Sequence, residues 1–496
     1  MNAFPWLSLI TFLPLGSGLL ILGVRERPEL CRKLGLAAAL AELAVVLAAV
    51  AAAGQAGGSW LLVEDRAWIP GFAIRYTLAM DGLSQVFVCL TALFGVLGVL
   101  VSWRQVTERV GAFHFCLLAA LSGVQGVFLA TDLILFALFW EAQLIPVFFL
   151  IAVWGHGERR RAAVKFFLFS ATGGLFMFLA VIVLSVAHAG GQSFALADLT
   201  GAQLPPGLGA WLFAAFLLSF AVKIPLVPIH IWLPDAHTQA PTAGSLILAG
   251  LLLKTGGYAL MRFAFPLFPA QAAACAPLLV ALGLAGVFFA SLMALVQDDL
   301  KRLVAYSSIA HMGLTVAGIA SLTGLGMTGA VVLMVCHALT TGGLFASAGM
   351  VDERLATRSL KSLGGLWDQA PLFGSLFLVF SLASAALPGL GNFVGEIMIV
   401  FGLFKVHALA GAAAVAGMAV TLIYLLRMNR DTLFGPRRSE LPMTDVGLRE
   451  ALVLVPLALA VLLVGLHPAP LQDLIAGPIH NLLIHLPQFP ALGVRP

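Results

Sequence analysis

Leu217-Leu-Ser-Phe-Ala-Val-Lys223-Ile-Pro225-Leu-Val-Pro228-Ile-His230-Ile-Trp-Leu233 decides how this chain is read. It completes an apolar run from Gly209 to Leu233, long enough at about 1.5 Å per residue to cross a bilayer. A lysine and two prolines sit inside it. A charge at the centre of a membrane costs about 2.5–3.5 kcal/mol on insertion scales. A proline removes a helical hydrogen bond and clashes with the preceding turn. Lipid tolerates such a break only where protein or water covers the freed backbone groups. The stretch therefore predicts a broken helix that lines a protein interior.

The rest of the chain agrees. Its 496 residues are 61% hydrophobic and only 10% charged, against roughly 25% charged in soluble domains. Apolar windows predict about fourteen transmembrane helices, an all-α polytopic membrane protein. The short alternating segments of a β-barrel are absent from the sequence. Of the 27 Lys and Arg residues, twenty fall in loops after odd-numbered windows, among them Arg25, Arg159, Lys301, Arg358 and Arg438. Five (Arg66, Arg75, Arg262, Lys405 and Arg495) fall after even-numbered windows or in the tail. The positive-inside rule then puts the odd loops in the cytoplasm and both termini on the periplasmic side of a bacterial inner membrane. The net charge of +4 is a topological signal, with no call for a nucleic-acid partner. Basic residues follow the first window and none precedes it, which predicts a retained span in place of a signal peptide.

Cys31, Cys89, Cys116, Cys275 and Cys336 form no CxxC, so neither zinc nor an iron–sulfur cluster is expected. No strand leads into GxGxxG, and no dinucleotide domain is expected. Metal and cofactor sites are predicted to be none on this chain.

A second interruption lies in the twelfth window, Ala385-Ala-Leu-Pro388-Gly-Leu-Gly391-Asn-Phe-Val-Gly-Glu396. Paired broken helices mark inverted-repeat transporters. Windows seven and twelve are five apart, and five is odd, so helices 4–8 and 9–13 would insert upside down relative to each other. The expected organisation is 1–103 for helices 1–3, 104–266 for the first repeat, 267–430 for the second, and 431–496 for a loop, helix 14 and the tail.

Further ionisable groups fall near the middle of their windows: Glu141, Lys254, His311 and His337, with Lys223 and Glu396 beside the breaks. A shared depth predicts a chain running along the membrane plane. Glu141 with Lys223 is the expected charge pair; alone it could be an inert buried ion pair. Lys254 has no acid nearby in sequence, and a lysine able to lose its charge can carry a proton. His311 and His337 could be core histidines bonded to a carbonyl, or relays that pass a proton between two ring nitrogens. Flanking Ser307, Ser308, Thr340 and Thr341 could hold water. His230 and His237 either begin a way in from the cytoplasm or solvate a loop. Asp132 is an ordinary interfacial carboxylate. Glu42 has no assigned partner and is open to contact with another subunit.

These motifs resemble the antiporter-like proton-translocating family of respiratory complex I, NADH:quinone oxidoreductase, in its subunit M (chain 4) type. The resemblance covers nearly the whole length. It rests on Phe139-Trp-Glu141-Ala-Gln-Leu-Ile-Pro146, on Ala221-Val-Lys223 through Pro241, on Leu253-Lys254-Thr-Gly-Gly-Tyr258, on Tyr306-Ser-Ser-Ile-Ala-His311-Met-Gly313, and on Gly391-Asn-Phe-Val-Gly-Glu396. It implies a fourteen-helix fold and a proton path through Glu141, Lys223, Lys254 and Glu396, with His311 and His337 as linkers. NADH, FMN, Fe–S clusters and the quinone (ubiquinone or another) would belong to other subunits. Membrane lipid and the antiporter-like subunits L and N would be the neighbours. Relatives such as L, N and cation/proton antiporter subunits carry lysine at the terminal position; Glu396 and the short tail favour the M type. Membrane-bound hydrogenase subunits remain the alternative.

Overall fold

The computed structural model describes residues 4–54, 60–438, 441–484 and 486; Arg495, counted above with the tail, lies outside them. Among the described residues, twelve helices are long and apolar enough to cross a membrane. They are α1 (Trp6–Gly23), α2 (Pro28–Ala53), α3 (Gly82–Gln105), α4 (Val110–Leu129), α5 (Leu133–Trp154) and α6 (Arg159–His188), then α9 (Thr242–Leu267), α10 (Pro269–Leu295), α11 (Leu300–Ala320), α12 (Gly324–Leu355), α15 (Ala408–Thr432) and α16 (Leu448–Leu466). The two remaining windows are the broken ones. The seventh is split into α7 (Leu208–Lys223) and α8 (Trp232–Gln239), the twelfth into α13 (Pro371–Ser384) and α14 (Gly391–Val406). A further helix, α17 (Ala469–Ile484), follows the last window.

Burial ranks the helices. The apolar windows of α9, α11 and α12 are wholly buried, whereas those of α1, α2, α15 and α16 are one-third buried. The three central helices therefore touch only protein, and a polar side chain on them need not meet lipid. Close packing at the centre requires glycine: a Cβ on Gly283 of α10 would overlap the Gly313 carbonyl of α11.

Each break satisfies its own backbone. In the first, Ile224 N–H donates to Phe220 O (2.8 Å) and Leu226 N–H to Ala221 O (2.9 Å), while Trp232 Nε1–H donates to Val222 O (3.0 Å). In the second, Leu387 N–H donates to Leu382 O at 3.0 Å, the same five-residue closure, 161 positions after Leu226. The freed carbonyls that lipid could not solvate thus have donors.

One element adds to the all-α expectation. The loop expected near 54–80 holds an antiparallel hairpin, β1 (Leu62–Ile69) with β2 (Ile74–Met80), turned through Pro70–Phe72 and a left-handed Ala73. Strict alternation is missing from β1, where Glu64, Asp65 and Arg66 follow one another, so its eight residues carry little strand signal. Glu64 of β1 accepts hydrogen bonds from Leu7 N–H (2.6 Å) and Ser8 N–H, covering the open start of α1. The Arg75 guanidinium holds the neighbouring Asp65 carboxyl below the usual carboxylate range.

The opposite end carries the basic loops. His156 N–H donates to Gln239 O (2.7 Å), Leu300 N–H to Arg358 O (2.9 Å), and Arg358 pairs with Asp299 (3.1 Å). Loops after the fifth, seventh, ninth and eleventh windows therefore meet at one face, as the basic-residue count predicts.

Asp132 is more than an interfacial carboxylate. It is buried and caps α5 through Ile134 N–H (2.9 Å) and Leu135 N–H (3.1 Å), and it also accepts from Arg75 N–H of the hairpin (3.2 Å). Asp132→Ala should cost about 1–2 kcal/mol, read as faster loss of the detergent-solubilised protein on heating. Unchanged heat survival would show that the cap is not holding this corner.

Candidate functional site

Lys254 lies on α9, which departs from α-helical geometry on both sides of it, with π-turns at Leu248–Leu252 and Leu260–Ala264. Such turns leave carbonyls that the regular ladder would have used, and they recur at functional positions. Here the lysine covers one of them: its Nζ donates to the Ala249 carbonyl. The same Nζ lies 2.7 Å from His337 Nδ1 of α12. An ammonium has only donors, so His337 Nδ1 accepts and the ring proton is assigned to Nε2, which has no protein partner. Lys254 and His337 are both fully buried.

The His311 ring of α11 lies 5.2 Å from the His337 ring, centroid to centroid. His311 points Nδ1 at Ser307 O (2.7 Å) and Nε2 at Ser384 O (3.0 Å), the latter at the end of α13. Carbonyls only accept, so both nitrogens are set to donate, an arrangement that suits an imidazolium. The counter-charge is Glu396 of α14, whose Oε1 is 3.4 Å from His311 Nε2. Lys254, His337, His311 and Glu396 therefore form one buried line across α9, α12, α11 and α14. A carbonyl-bonded core histidine describes only part of His311, because its second nitrogen sits between Ser384 and Glu396.

Glu141 and Lys223 differ from expectation. No ion pair within 4 Å joins them among the described residues; the two groups act on one another at longer range. Lys223 ends α7, where a cation complements the helix C-terminus, and its Nζ lies 5.0 Å over the Trp140 ring. Glu141 sits beside that ring in a groove of α6, where a Cβ on Gly174 would overlap its Oε1. Neither Lys223 Nζ nor Glu141 Oε1 has a hydrogen-bond partner. Lys223 thus rests over the Trp140 ring, and its attraction to Glu141 acts from beyond contact distance. Glu141 is also the least buried of the six, at the edge of the bundle. No hydrogen bond or ion pair among the described residues connects this pair to the Lys254 line.

His237 of α8 is fully buried, stacked on Phe345 of α12 (4.6 Å, 7°), with neither ring nitrogen partnered. It does not solvate a loop. His230 is buried edge-on against Phe289. Glu42 has an internal partner after all: Gln125 Nε2 of α4 donates to it at 2.8 Å, so contact with another subunit is not needed to account for it. Among the described residues no three His, Cys, Asp or Glu side chains gather as a metal-holding group.

Sequence reasoning missed Lys301. Read as a loop residue, it is buried at the start of α11, with Nζ donating to Ala240 O at 2.8 Å. The signal was faint: a lysine one residue inside a helix, next to Arg302 and at the edge of an apolar window.

A buried line of titratable groups that runs to one broken helix, beside a second break that ends in Lys223, marks a transporter-like membrane protein. Residues 130–422 match the family described as NADH:quinone oxidoreductase/Mrp antiporter, TM. The chain belongs to that family, within its NADH-quinone oxidoreductase subunit M (chain 4) group. It is 45% identical over 431 residues to subunit M of Pseudomonas aeruginosa, covering 85% of each chain. It is 38% identical over 496 residues to subunit M of Rhodobacter capsulatus, covering 96% of each. Among solved structures, a chain of respiratory complex I from Thermus thermophilus superposes with TM-score 0.87 at 31% identity, covering 96% of this chain and 99% of that one. A chain of the Mrp complex from Dietzia (TM-score 0.86, 20% identity, 97% and 98% covered) shares the fold.

Gly174→Val should push the Glu141 carboxylate out of the α6 groove, since the added methyls would occupy its place. A structure of the variant with Glu141 unmoved would show that the groove does not fix this side chain.

Proposed function

We propose that this chain is a proton-translocating membrane-arm subunit of NADH:quinone oxidoreductase. Electron transfer elsewhere in the complex drives protons through Glu141, Lys223, Lys254, His337, His311 and Glu396. The single observation that carries this reading is the buried contact series from Lys254 to Glu396. Four helices each contribute one titratable group, and none of the four groups faces lipid. A scaffold would have no use for a cost of about 2.5–3.5 kcal/mol per buried charge.

Magnitudes explain why the groups are linked. At an effective dielectric near 20, a Glu–Lys pair is worth roughly 4 kcal/mol at about 4 Å and roughly 2 at about 8 Å. Opening or closing the Glu141–Lys223 pair therefore shifts about 2 kcal/mol. Moving one proton against about 150 mV requires roughly 3.5 kcal/mol. One pair is insufficient, so its state must pass to Lys254 and onward. Lys223 lies over Trp140 with no contact to Glu141 within 4 Å, which supports assigning the pair here to an open arrangement. Glu141, partly exposed at the bundle edge, is placed for a signal from a neighbouring subunit, and subunits L and N are the partners we assign. NADH, FMN, Fe–S clusters and quinone are assigned to other subunits. The basic face is assigned to the cytoplasm, with both termini periplasmic in a bacterial inner membrane. The repeats are assigned to 104–266 and 267–430, between flanks 1–103 and 431–496. The matching closures at Leu226 and Leu387 support that division. The alternative, an antiporter or hydrogenase subunit, is disfavoured by Glu396 and by subunit M relatives at 38–45% identity.

In membrane vesicles holding the assembled complex, Glu141→Gln should lower NADH-driven proton uptake by more than about tenfold. NADH oxidation by an artificial electron acceptor should persist. Normal uptake would remove Glu141 from the path. Lys223→Ala should depress coupled quinone reduction, and Lys223→Arg should restore little of it, because a guanidinium does not release its proton. Full activity in both variants would leave only a structural role.

A further inference from the structure

The proposed path has no described way in, and the structure holds one buried cation that the path does not use. Lys301 is buried at the basic face, and its Nζ has a single hydrogen bond, to Ala240 O at 2.8 Å. Charged groups face it from several elements. Asp299 stands just before α11, Asp352 lies on α12, and Arg358 lies in the loop beyond. Both carboxylates are already taken, because Arg358 pairs with Asp299 at 3.1 Å and with Asp352 at 3.5 Å. Among the described ion pairs, none includes Lys301. A buried ammonium with one carbonyl and no anion is costly, and a neutral amine at that place is not.

Its neighbours lie in order. On the outer side is His156, exposed in the loop after α5 and tied to the same segment through its N–H to Gln239 O. On the inner side is His237, which feels the charges of both Lys301 and Lys254 and whose ring nitrogens have no protein partner. Lys254 itself points back along α9 toward Ala249, the side from which α9 begins. A buried polar ring without partners is satisfied by water where there is room for it.

We infer that Lys301 is the proton-loading group of this subunit, receiving a proton at the basic face and delivering it through His237 to Lys254. A proton from solvent, taken up beside His156, converts the Lys301 amine to an ammonium. The ammonium returns to amine as one His237 nitrogen is protonated, and the other nitrogen releases a proton to the Lys254 amine. One proton moves inward and no electron is exchanged. This rests on the function proposed above.

The competing account is mechanical: Lys301 merely caps the C-terminus of α8 at Ala240, as a cation can. Arginine would serve a cap and fail a relay, whereas histidine can relay near neutrality. In vesicles with the assembled complex, Lys301→Arg should retain NADH oxidation by an artificial acceptor and lose about tenfold or more of proton uptake. Lys301→His should retain uptake, with its pH profile displaced to lower pH. Wild-type uptake by Lys301→Arg overturns the proposal. Should that variant not assemble, an undisplaced profile in Lys301→His overturns it and a displaced one supports it. Lys254→Met, run in parallel, separates the two readings. If it abolishes uptake while Lys301→Arg pumps normally, only the loading role fails. If it pumps normally, the path itself fails.

Discussion

The contact between Lys254 and His337 is the constraint on which the rest of the structure depends. A lysine in the middle of a helix that meets only protein has to be compensated locally, and this one is compensated twice. The π-turn before it frees the Ala249 carbonyl, and α12 brings an imidazole acceptor to 2.7 Å. Both features require α9 and α12 to be sheathed on every side. Among the helices packed on them, α3, α7, α11, α13, α14 and α16 supply that sheath, while α1, α2 and α15 lie farther out and expose apolar side chains. Hydrophobic packing here serves to keep a polar line away from lipid.

From that line the broken helices acquire their meaning. The end of a helix leaves carbonyls whose ladder partners are missing. Ending α13 at Ser384 offers one to His311. Ending α7 at Lys223 places an ammonium where the helix dipole favours it. The breaks are therefore polar fixtures within an apolar bundle, and the donors at Leu226, Trp232 and Leu387 make them affordable in lipid.

Much of this was legible in the sequence. The spans follow from apolar length alone, and the breaks from Pro225, Pro228, Pro388 and Gly391. The six central groups stand out because charge is so rare in the chain. Four of them do touch in series. What could not be read was partnership, which depends on how helices rotate against one another. Glu141 and Lys223 have opposite charges, yet Lys223 rests over the Trp140 ring and no contact ion pair forms among the described residues. Glu42 found Gln125, 83 residues away, a pairing with no trace in local sequence. Lys301 looked like any loop lysine because hydropathy windows locate the edge of a helix only to within a few residues. The hairpin escaped because eight-residue strands carry little signal beside helices of more than twenty.

The two breaks, though closed alike, are unlike in sign. Counting 161 positions from Lys223 arrives at Ser384, so an ammonium at one break is answered by a carbonyl oxygen at the other. A cation near the first break would meet Lys223 as a like charge, whereas the second offers the Ser384 carbonyl that His311 uses. The pair of breaks is thus alike in backbone and unlike in charge.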